Sequence, residues 1–252
     1  MTSAETAATR RIAVIGDASF YVGPPLARAL AARNHDLVLG DPRPELVAEL
    51  ETLGATVVAV PDVRTLATRA HSDALVNAAL ERFGRIDAAT MASGRVITGR
   101  FLDSTLDDLH AVVRGCLEPP YHFLRAVLPS MIERREGQIL IMSSAAGARP
   151  TPGAPLYSAV RAGATHLVRN VADEMARHRV LVNAVGTNFM DFPEFLRATG
   201  ATDPAVRAKI EQQVPLGRLG TLDEFAAFCM PYLDGTSRFV TGQFVAFAGG
   251  WA

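Results

Sequence analysis

The chain has 252 residues, of which 49% are hydrophobic and 20% are charged, so it can build a packed core and is not disordered. Its 25 basic and 26 acidic side chains leave a formal net charge of −1, which argues against nucleic acid and anionic membrane partners. No apolar run approaches the ~20 residues that span a bilayer, and the first ten residues contain no hydrophobic signal core, so we expect a cytoplasmic protein. Cys116 and Cys229 form no C-x-x-C motif and the six histidines lack ligand spacing, so we expect no metal site.

Short β-rich runs alternate with longer helical patterns along the whole chain. The predicted strands are Ile12–Ile15, Leu37–Leu39, Thr56–Val60, Ile86–Met91, Gln138–Met142, Val180–Val185 and Gln243–Phe247. The predicted helices are Pro24–Arg33, Glu45–Leu53, Thr65–Phe83, Thr105–Arg135, Tyr157–His178 and Leu222–Leu233. This alternation predicts a single-domain α/β fold: a Rossmann-like, doubly wound parallel sheet with helices on both faces, spanning 11–252 after an N-terminal tail, 1–10.

Two segments depart from this simple alternation. Pro119 and Pro120 remove two backbone donors, so they should kink or break the helix that starts at Thr105. The stretch Pro193–Pro215 has no simple strand–helix pattern, which suggests an inserted lid or pocket wall.

The turn after the first strand contains two aromatic residues, Phe20 and Tyr21, between Gly16 and Gly23. A dinucleotide-binding turn needs several glycines, because bare backbone N–H groups must approach the pyrophosphate at the helix N-terminus. Two interpretations stay open here. Either the turn is a tight connection with core aromatics, or its rings fill space that a nucleotide would otherwise use.

The strongest candidate site combines the serines at the end of the fifth predicted strand, Ser143 and Ser144, with Tyr157 and Arg161. Tyr157 and Arg161 are four residues apart in a predicted helix and therefore share one face. A tyrosine is a weak base, with a free pKa of ~10, and a permanently charged guanidinium nearby favours its phenolate form. Taken alone, however, such a pair is most often an ordinary helix-surface pair.

Several segments together resemble the short-chain dehydrogenase/reductase superfamily. They are Ile139–Ala146, the Ser144-to-Tyr157 spacing, Val182–Gly186, Leu216–Glu224 and Phe239–Gly250. The resemblance implies the Rossmann-like fold.

The same comparison shows four departures from the superfamily pattern. Its T-G-x-x-x-G-x-G turn keeps only Gly16 at strict spacing, with Phe20 and Val22 at the later positions. Its N-N-A-G stretch is replaced by residues 91–94 (Met-Ala-Ser-Gly), its helical asparagine by Cys116 and its Y-x-x-x-K lysine by Arg161. Asp41 and Asp62 match positions that contact adenosine in members that use a cofactor; here they are either relics or simple caps.

The combination of Ser144, Tyr157 and Arg161 with aromatic residues in the first turn resembles the halohydrin (haloalcohol) dehalogenases of this superfamily. That resemblance implies a cofactor-independent carbon–halide lyase that converts vicinal haloalcohols to epoxides, halide and a proton. In reverse, such enzymes open epoxides with azide, cyanide or nitrite. By matching position, Ser144 would hydrogen-bond the substrate oxygen, Tyr157 would take its proton and Arg161 would favour the phenolate, with Ser143 as the alternative serine. The resemblance also implies a homotetramer.

The expected halide and substrate pocket combines the loop after the sixth strand with nearby rings. Its candidate residues are Phe20, Tyr21, Gly186, Thr187, Asn188, Phe189, Met190, Phe192 and Phe195. Backbone N–H groups and ring edges can surround an anion without a competing counter-charge, although a generic apolar wall is the alternative. Trp251, the only tryptophan, is expected near a subunit interface, where it would help line a neighbouring site.

Two competing hypotheses remain. The first is an oxidoreductase that uses NAD or NADP through a degenerate turn, with Arg161 in the role of the lysine. The second is a non-catalytic protein that retains the fold for assembly or regulation.

Overall fold

Parallel strands form the central sheet of the protein. The computed structural model describes residues 10–252, and its strands are β1 (Arg11–Ile15), β2 (His35–Gly40), β3 (Val57–Val60), β4 (Ala88–Ala92), β5 (Gly137–Ser144), β6 (Val180–Thr187), β7 (Met190–Asp191), β8 (Gly220–Thr221) and β9 (Phe244–Phe247). Seven of these strands pair in the order β3-β2-β1-β4-β5-β6-β9, and all the pairings are parallel. The short β7 and β8 form a separate parallel pair.

Helices cover both faces of this sheet. They are α1 (Gly23–Ala31), α2 (Pro44–Thr52), α3 (Arg69–Phe83), α4 (Leu106–Cys116), α5 (Glu118–Arg134), α6 (Pro155–Ala176), α7 (Pro193–Thr199), α8 (Pro204–Glu211) and α9 (Leu222–Cys229). One apolar cluster joins the sheet to α1, α2 and α9, and a second joins it to α3, α5 and α6. Adjacent strand residues such as Val14 and Ile15 enter opposite clusters, because strand side chains alternate between the faces. The predicted single-domain, doubly wound α/β fold is confirmed.

The double proline breaks the helix where the sequence predicts a break. Helix α4 ends at Cys116, α5 begins at Glu118, and the junction residue is Leu117. Pro119 and Pro120 occupy the first turn of α5, where the missing N–H groups have no intrahelical partner to lose.

Two predicted helix boundaries are wrong. Helix α3 starts at Arg69 and not at Thr65, because Leu66 adopts a left-handed φ of +47° in a turn closed by its N–H to the Val63 carbonyl. Helix α9 stops at Cys229, and the predicted continuation to Leu233 is a 3₁₀ turn that contains Pro231.

The segment predicted as a lid or wall, Pro193–Pro215, contains the short helices α7 and α8. It connects β7 to β8, so it lies beside the loop that follows β6. Of the predicted tail, residues 1–9 lie outside the described part of the chain. Arg10 itself is anchored, since its Nε donates to Asp36 Oδ1 at 2.8 Å.

Within residues 10–252, no helix is both long and apolar enough to cross a membrane. The same part of the chain contains no convergent group of three or more His, Cys, Asp or Glu side chains that could hold a metal ion. Cys116 and Cys229 are both buried as free thiols.

The strand order reverses direction between β1 and β4, and in such sheets the ligand crevice opens beyond the carboxyl ends of the strands at this point. Gly16 follows β1, Ser93 follows β4, Ser144 ends β5 and Thr187 ends β6. The topology therefore brings the predicted site residues together at the carboxyl ends of the parallel strands.

Candidate active site

The two candidate serines have different surroundings. Ser143 Oγ lies 3.3 Å from Thr165 Oγ1 of α6. Ser144 is 7% exposed, and its Oγ accepts from the Ala146 N–H at 3.2 Å and donates to the Thr187 carbonyl at 3.5 Å. Ser144 thus lies beside the end of β6, whereas Ser143 is tied to α6. Of the two serines, Ser144 is therefore the one next to the loop after β6.

Tyr157 and Arg161 lie together on the first turns of α6. The guanidinium carbon of Arg161 is 5.2 Å from the centroid of the Tyr157 ring, and the arginine is only 3% exposed. One guanidinium nitrogen, Nη2, donates to the carbonyl of Ser93, and Gly94 leaves room for it, since a Cβ there would lie 2.7 Å from Nη2. Among the described residues, no partner is recorded for the buried Arg161 Nε. The charge is therefore held against the phenol ring by the loop after β4.

Tyr157 is partly buried in a small apolar cluster that is separate from the two main clusters. Val112, Cys116 and Val160 form the buried part of this cluster, and Ile97 and Leu109 pack against it. The residue at the position of the superfamily asparagine, Cys116, accepts from the Arg95 N–H through its sulfur at 3.3 Å. No hydrogen bond joins the hydroxyls of Ser144 and Tyr157, both of which are among the described residues. The α4 side of the phenol is consequently an apolar wall.

The first turn directs Tyr21 toward the end of β6. Its hydroxyl lies 2.6 Å from Thr187 Oγ1, and its ring centroid lies 4.6 Å from that of Phe192. The residue adopts a left-handed φ of +53°, which is uncommon for a bulky side chain. Burial raises the pKa of Tyr21 to about 12, so this phenol stays protonated at neutral pH.

The ring of Phe20, the other aromatic residue of the turn, packs against the side chain of Arg64. The guanidinium carbon of Arg64 is 4.5 Å from the Phe20 centroid, and the same side chain pairs with Asp17 at 3.4 Å. Asp17 also accepts from the N–H and the hydroxyl of Ser19, at 2.8 and 2.6 Å. Burial raises the pKa of the Asp17 carboxyl, while the hydrogen bonds from Ser19 and the charge of Arg64 oppose this shift. These contacts hold the aromatic turn in place.

Asp41 lies at a position that contacts adenosine in members that use a cofactor. Here its carboxylate binds backbone groups of the same chain. Its two carboxylate oxygens accept from the backbone N–H groups of Asp62 and Val63, at 2.7 and 2.9 Å. Nearby, Leu66 and Met91 close over Gly16, where a Cβ would lie 2.6 Å from Leu66 Cδ1. Of the two interpretations of Asp41 left open by the sequence, the structure favours the cap.

The loop after β6 approaches Ser144 closely. A Cβ on Gly186 would lie 2.5 Å from the Ser144 carbonyl carbon, so only glycine fits there. Phe189 has a left-handed φ of +54°, and its carbonyl accepts from the Gly220 N–H at 3.0 Å. In the described part of the chain, the backbone N–H of Phe189 has no backbone acceptor, while the N–H of Asn188 follows the end of the β6–β9 ladder, where Thr187 pairs with Phe247. A free N–H at a left-handed residue is one element of an anion-binding nest.

The predicted aromatic residues form a continuous series around this loop. From Tyr21 and Phe192 the series continues through Phe195, whose centroid is 6.1 Å from that of Phe192, to Phe189 at 6.4 Å and Trp251 at 5.6 Å. Met190, by contrast, is buried in the core and pairs with Gly220 in the β7–β8 ladder.

A cavity of about 290 Å³ borders the loop after β6. Its lining includes Asn188, Phe189, Leu216 and Arg218, but none of Ser144, Tyr157 and Arg161. The charge of Arg218 at this cavity is paired with Glu224 at 2.6 Å.

Comparison with known proteins identifies the family. The family model described as enoyl-(acyl carrier protein) reductase matches residues 22–252, and that match begins just beyond the aromatic first turn. The chain belongs to the short-chain dehydrogenase/reductase superfamily. Its placement among these enzymes agrees with the observed strand order and with the Ser144-to-Tyr157 spacing.

Curated relatives of this superfamily member carry the names of reductases and oxidoreductases. The 3-oxoacyl-[acyl-carrier-protein] reductase of Synechocystis sp. is 31% identical over 94% of this chain and 95% of its own length. The oxidoreductase UcpA of Escherichia coli strain K12 is 32% identical over 93% of this chain and 94% of its own. Among solved structures, one titled "Dehalogenation enzyme" is 28% identical, with a TM-score of 0.82 over 97% of this chain and 99% of that one.

Several residues that shape the site carry no sequence signal of their own. Arg64 and Leu66 lie in a loop without a recognisable motif, and Ser93 contributes a backbone carbonyl that any residue could supply. Trp251 and Arg149 meet through a contact between segments far apart in the chain. These contacts can be recognised only from the tertiary structure.

Proposed function

We propose that this protein is a cofactor-independent halohydrin dehalogenase, which converts vicinal haloalcohols to epoxides and opens epoxides with small anions. The observation that carries the proposal is the hydrogen bond between Tyr21 and Thr187. In a Rossmann-type crevice the dinucleotide passes from the first turn across the switch point, and this bond joins the two sides of that path. This contact supports a first turn that does not admit a nicotinamide dinucleotide.

Ring closure needs a base and a positioned hydroxyl, and the residues near β5 and α6 supply both. Ser144 would hold the substrate hydroxyl while Tyr157, as phenolate, takes its proton. The resulting alkoxide attacks the neighbouring carbon, the carbon–halogen bond breaks, and the electron pair leaves with the halide. Arg161, packed on the Tyr157 ring, places a permanent positive charge beside the proposed base. Tyr21 is a poor alternative base, since its pKa is about 12.

The departing halide needs donors but no general acid, because it leaves as the conjugate base of a strong acid. The N–H of Phe189, with the left-handed backbone at this residue, is one element of an anion nest. The nearby rings of Phe189, Phe192 and Tyr21 would add positive ring edges. This combination supports the loop after β6 as the halide site.

An NAD(P)-dependent oxidoreductase is the second candidate function. The family model and the names of the curated relatives favour it more than they favour a dehalogenase, and Tyr157 and Arg161 could replace the superfamily pair of tyrosine and lysine. The 28% identical structure titled "Dehalogenation enzyme" supports the first candidate. The engaged carboxylate of Asp41 and the Tyr21–Thr187 bond argue against dinucleotide binding.

Halide release without a nucleotide tests the proposal. Purified protein is mixed with a short vicinal bromohydrin and bromide is followed by ion chromatography; in parallel, NADH and NADPH are titrated calorimetrically. We expect bromide release that matches epoxide formation, and no saturable nucleotide binding. Saturable nucleotide binding with no bromide release would overturn the proposal in favour of the oxidoreductase.

A further inference from the structure

Trp251 contacts two segments that lie far from it in the sequence. Its ring lies 5.6 Å from that of Phe189, at an interplanar angle of 81°. Its carbonyl accepts from Arg149 Nη1 at 2.8 Å, and the guanidinium carbon of Arg149 lies 4.7 Å from the Trp251 ring centroid. One residue near the C-terminus therefore bridges Arg149 and Phe189 within a single chain.

The two bridged segments flank the candidate active site. Arg149 follows the 3₁₀ turn Ala145–Ala148 and lies between Ser144 and Tyr157 in the sequence. Phe189 lies two positions beyond Thr187, in the loop proposed to bind the anion. The contacts of Trp251 thus connect the serine side of the crevice to its proposed anion side.

The Phe189 backbone needs such support. A left-handed conformation is unfavourable for a residue with a bulky side chain, and Phe189 adopts it with φ +54°. Phe195 contacts the Phe189 ring from another direction, with centroids 6.4 Å apart and planes at 89°. Edge-to-face contacts from Phe195 and Trp251 therefore hold the ring and favour this loop conformation.

The path of the chain to Trp251 is itself fixed. Gly249 and Gly250 have left-handed φ values of +59° and +86°, and a Cβ on Gly249 would lie 2.5 Å from Val214. The Trp251 N–H then donates to the Ala248 carbonyl at 3.1 Å. This turn places the indole ring against Phe189 by backbone geometry.

We propose that Arg149 and Trp251 are positioning residues that hold the Phe189 loop in its anion-binding conformation and so set the affinity for the halide or incoming nucleophile. This inference rests on the proposed function, because it assigns the anion to that loop. Arg149 acts through Trp251, and Trp251 acts through Phe189. Neither residue takes part in proton transfer.

Arg149→Gln is the decisive variant, because it removes the guanidinium and keeps the tryptophan. The matched control is Arg82→Gln, which removes a guanidinium 5.2 Å from the Phe83 ring on α3. Hydrogen–deuterium exchange of peptides covering 187–195 reports the loop directly. Since Trp251 is the only tryptophan, its fluorescence during a bromide titration reports anion binding beside the same loop.

We expect Arg149→Gln to speed exchange in 187–195 and to weaken bromide binding roughly two- to fivefold, the change that corresponds to a cation–π contact at a partly exposed site. The maximal rate of halide release and its pH profile should be unchanged, and Arg82→Gln should behave as wild type. Unchanged exchange in Arg149→Gln would overturn the positioning role whatever reaction the protein catalyses. Faster exchange, with a wild-type protein that shows no response to bromide, would overturn the anion assignment and the proposed function together.

Discussion

The hydroxyl of Tyr21 lies 2.6 Å from the hydroxyl of Thr187, so one hydrogen bond joins the turn after β1 to the end of β6. These two positions lie on opposite sides of the switch point, where related folds bind a dinucleotide. Phe192 packs on the Tyr21 ring and Arg64 covers Phe20, so the contact is supported on both sides. This contact closes the direct path between the turn after β1 and the end of β6.

Tyr157 and Tyr21 form a matched pair for testing the base. Tyr157→Phe should reduce ring closure by about 10²- to 10⁴-fold, the usual contribution of a general base, without unfolding the protein. Tyr21→Phe removes the same atom from the same crevice but should retain most of the chemistry, while lowering the free energy of unfolding by about 1 kcal/mol through loss of its hydrogen bond. Initial rates of bromide release and denaturant unfolding measure both effects. Equal rates for wild type and Tyr157→Phe would mean that another group is the base.

The rate of ring closure should depend on pH in one direction. A general base must be deprotonated before it accepts the substrate proton, so the initial rate should rise from mildly acidic to alkaline pH. Tyr21, with a pKa of about 12, contributes no step in this range. The measurement is the pH profile of bromide release at saturating bromohydrin. A flat profile would remove the phenolate from the mechanism.

Gly186 should be intolerant of any side chain. A Cβ there would lie 2.5 Å from the Ser144 carbonyl carbon and 2.6 Å from the Phe244 ring, so Gly186→Ala should destabilise the fold by about 1–3 kcal/mol through overpacking. It should also displace Ser144 and reduce activity. Gly163→Ala on α6 is the control, because nothing lies within 4 Å of that added Cβ and alanine favours a helix. Urea unfolding of the two variants compares them; equal stability would show that β5 and β6 can separate at no cost.

The buried side chain of His35 should make the free energy of unfolding depend on pH near neutrality. The ring is fully buried, and burial, with the charge of Arg11, lowers the pKa of His35 in the folded chain. As the pH falls through ~6.5, the unfolded chain binds a proton that the folded chain refuses, so the free energy of unfolding should decrease. His35→Asn can retain the donor to the Arg33 carbonyl, and it should flatten this decrease between about pH 7 and pH 5. The exposed His166→Asn serves as the control, and an unchanged slope in His35→Asn would contradict the assignment.

The sequence predicted those parts of the molecule that depend on local pattern. The seven strands, the break before Pro119 and the shared helical face of Tyr157 and Arg161 follow from periodicity and proline chemistry. The start of α3 could not be predicted, because the left-handed Leu66 is stabilised by burial against Gly16, a contact between different loops.

In the candidate site, too, local features could be predicted from the sequence, whereas contacts between distant segments could not. Phe20 and Tyr21 could be recognised as foreign to a dinucleotide turn, but the partner of Tyr21 is Thr187, from the other half of the chain. Likewise, no sequence pattern indicates that Arg161 donates to the Ser93 carbonyl or that Trp251 packs on Phe189. Such pairings depend on strand order and on backbone conformations that only the assembled sheet determines.

Crystals soaked with sodium bromide and NADPH together test the central claim most directly, since anomalous scattering identifies the ion at once. The account predicts a bromide beside the backbone N–H of Phe189, with Tyr21 still bonded to Thr187 and no dinucleotide in the crevice. A dinucleotide bound from the first turn to Thr187, with Tyr21 displaced and no bromide at the loop, would contradict it.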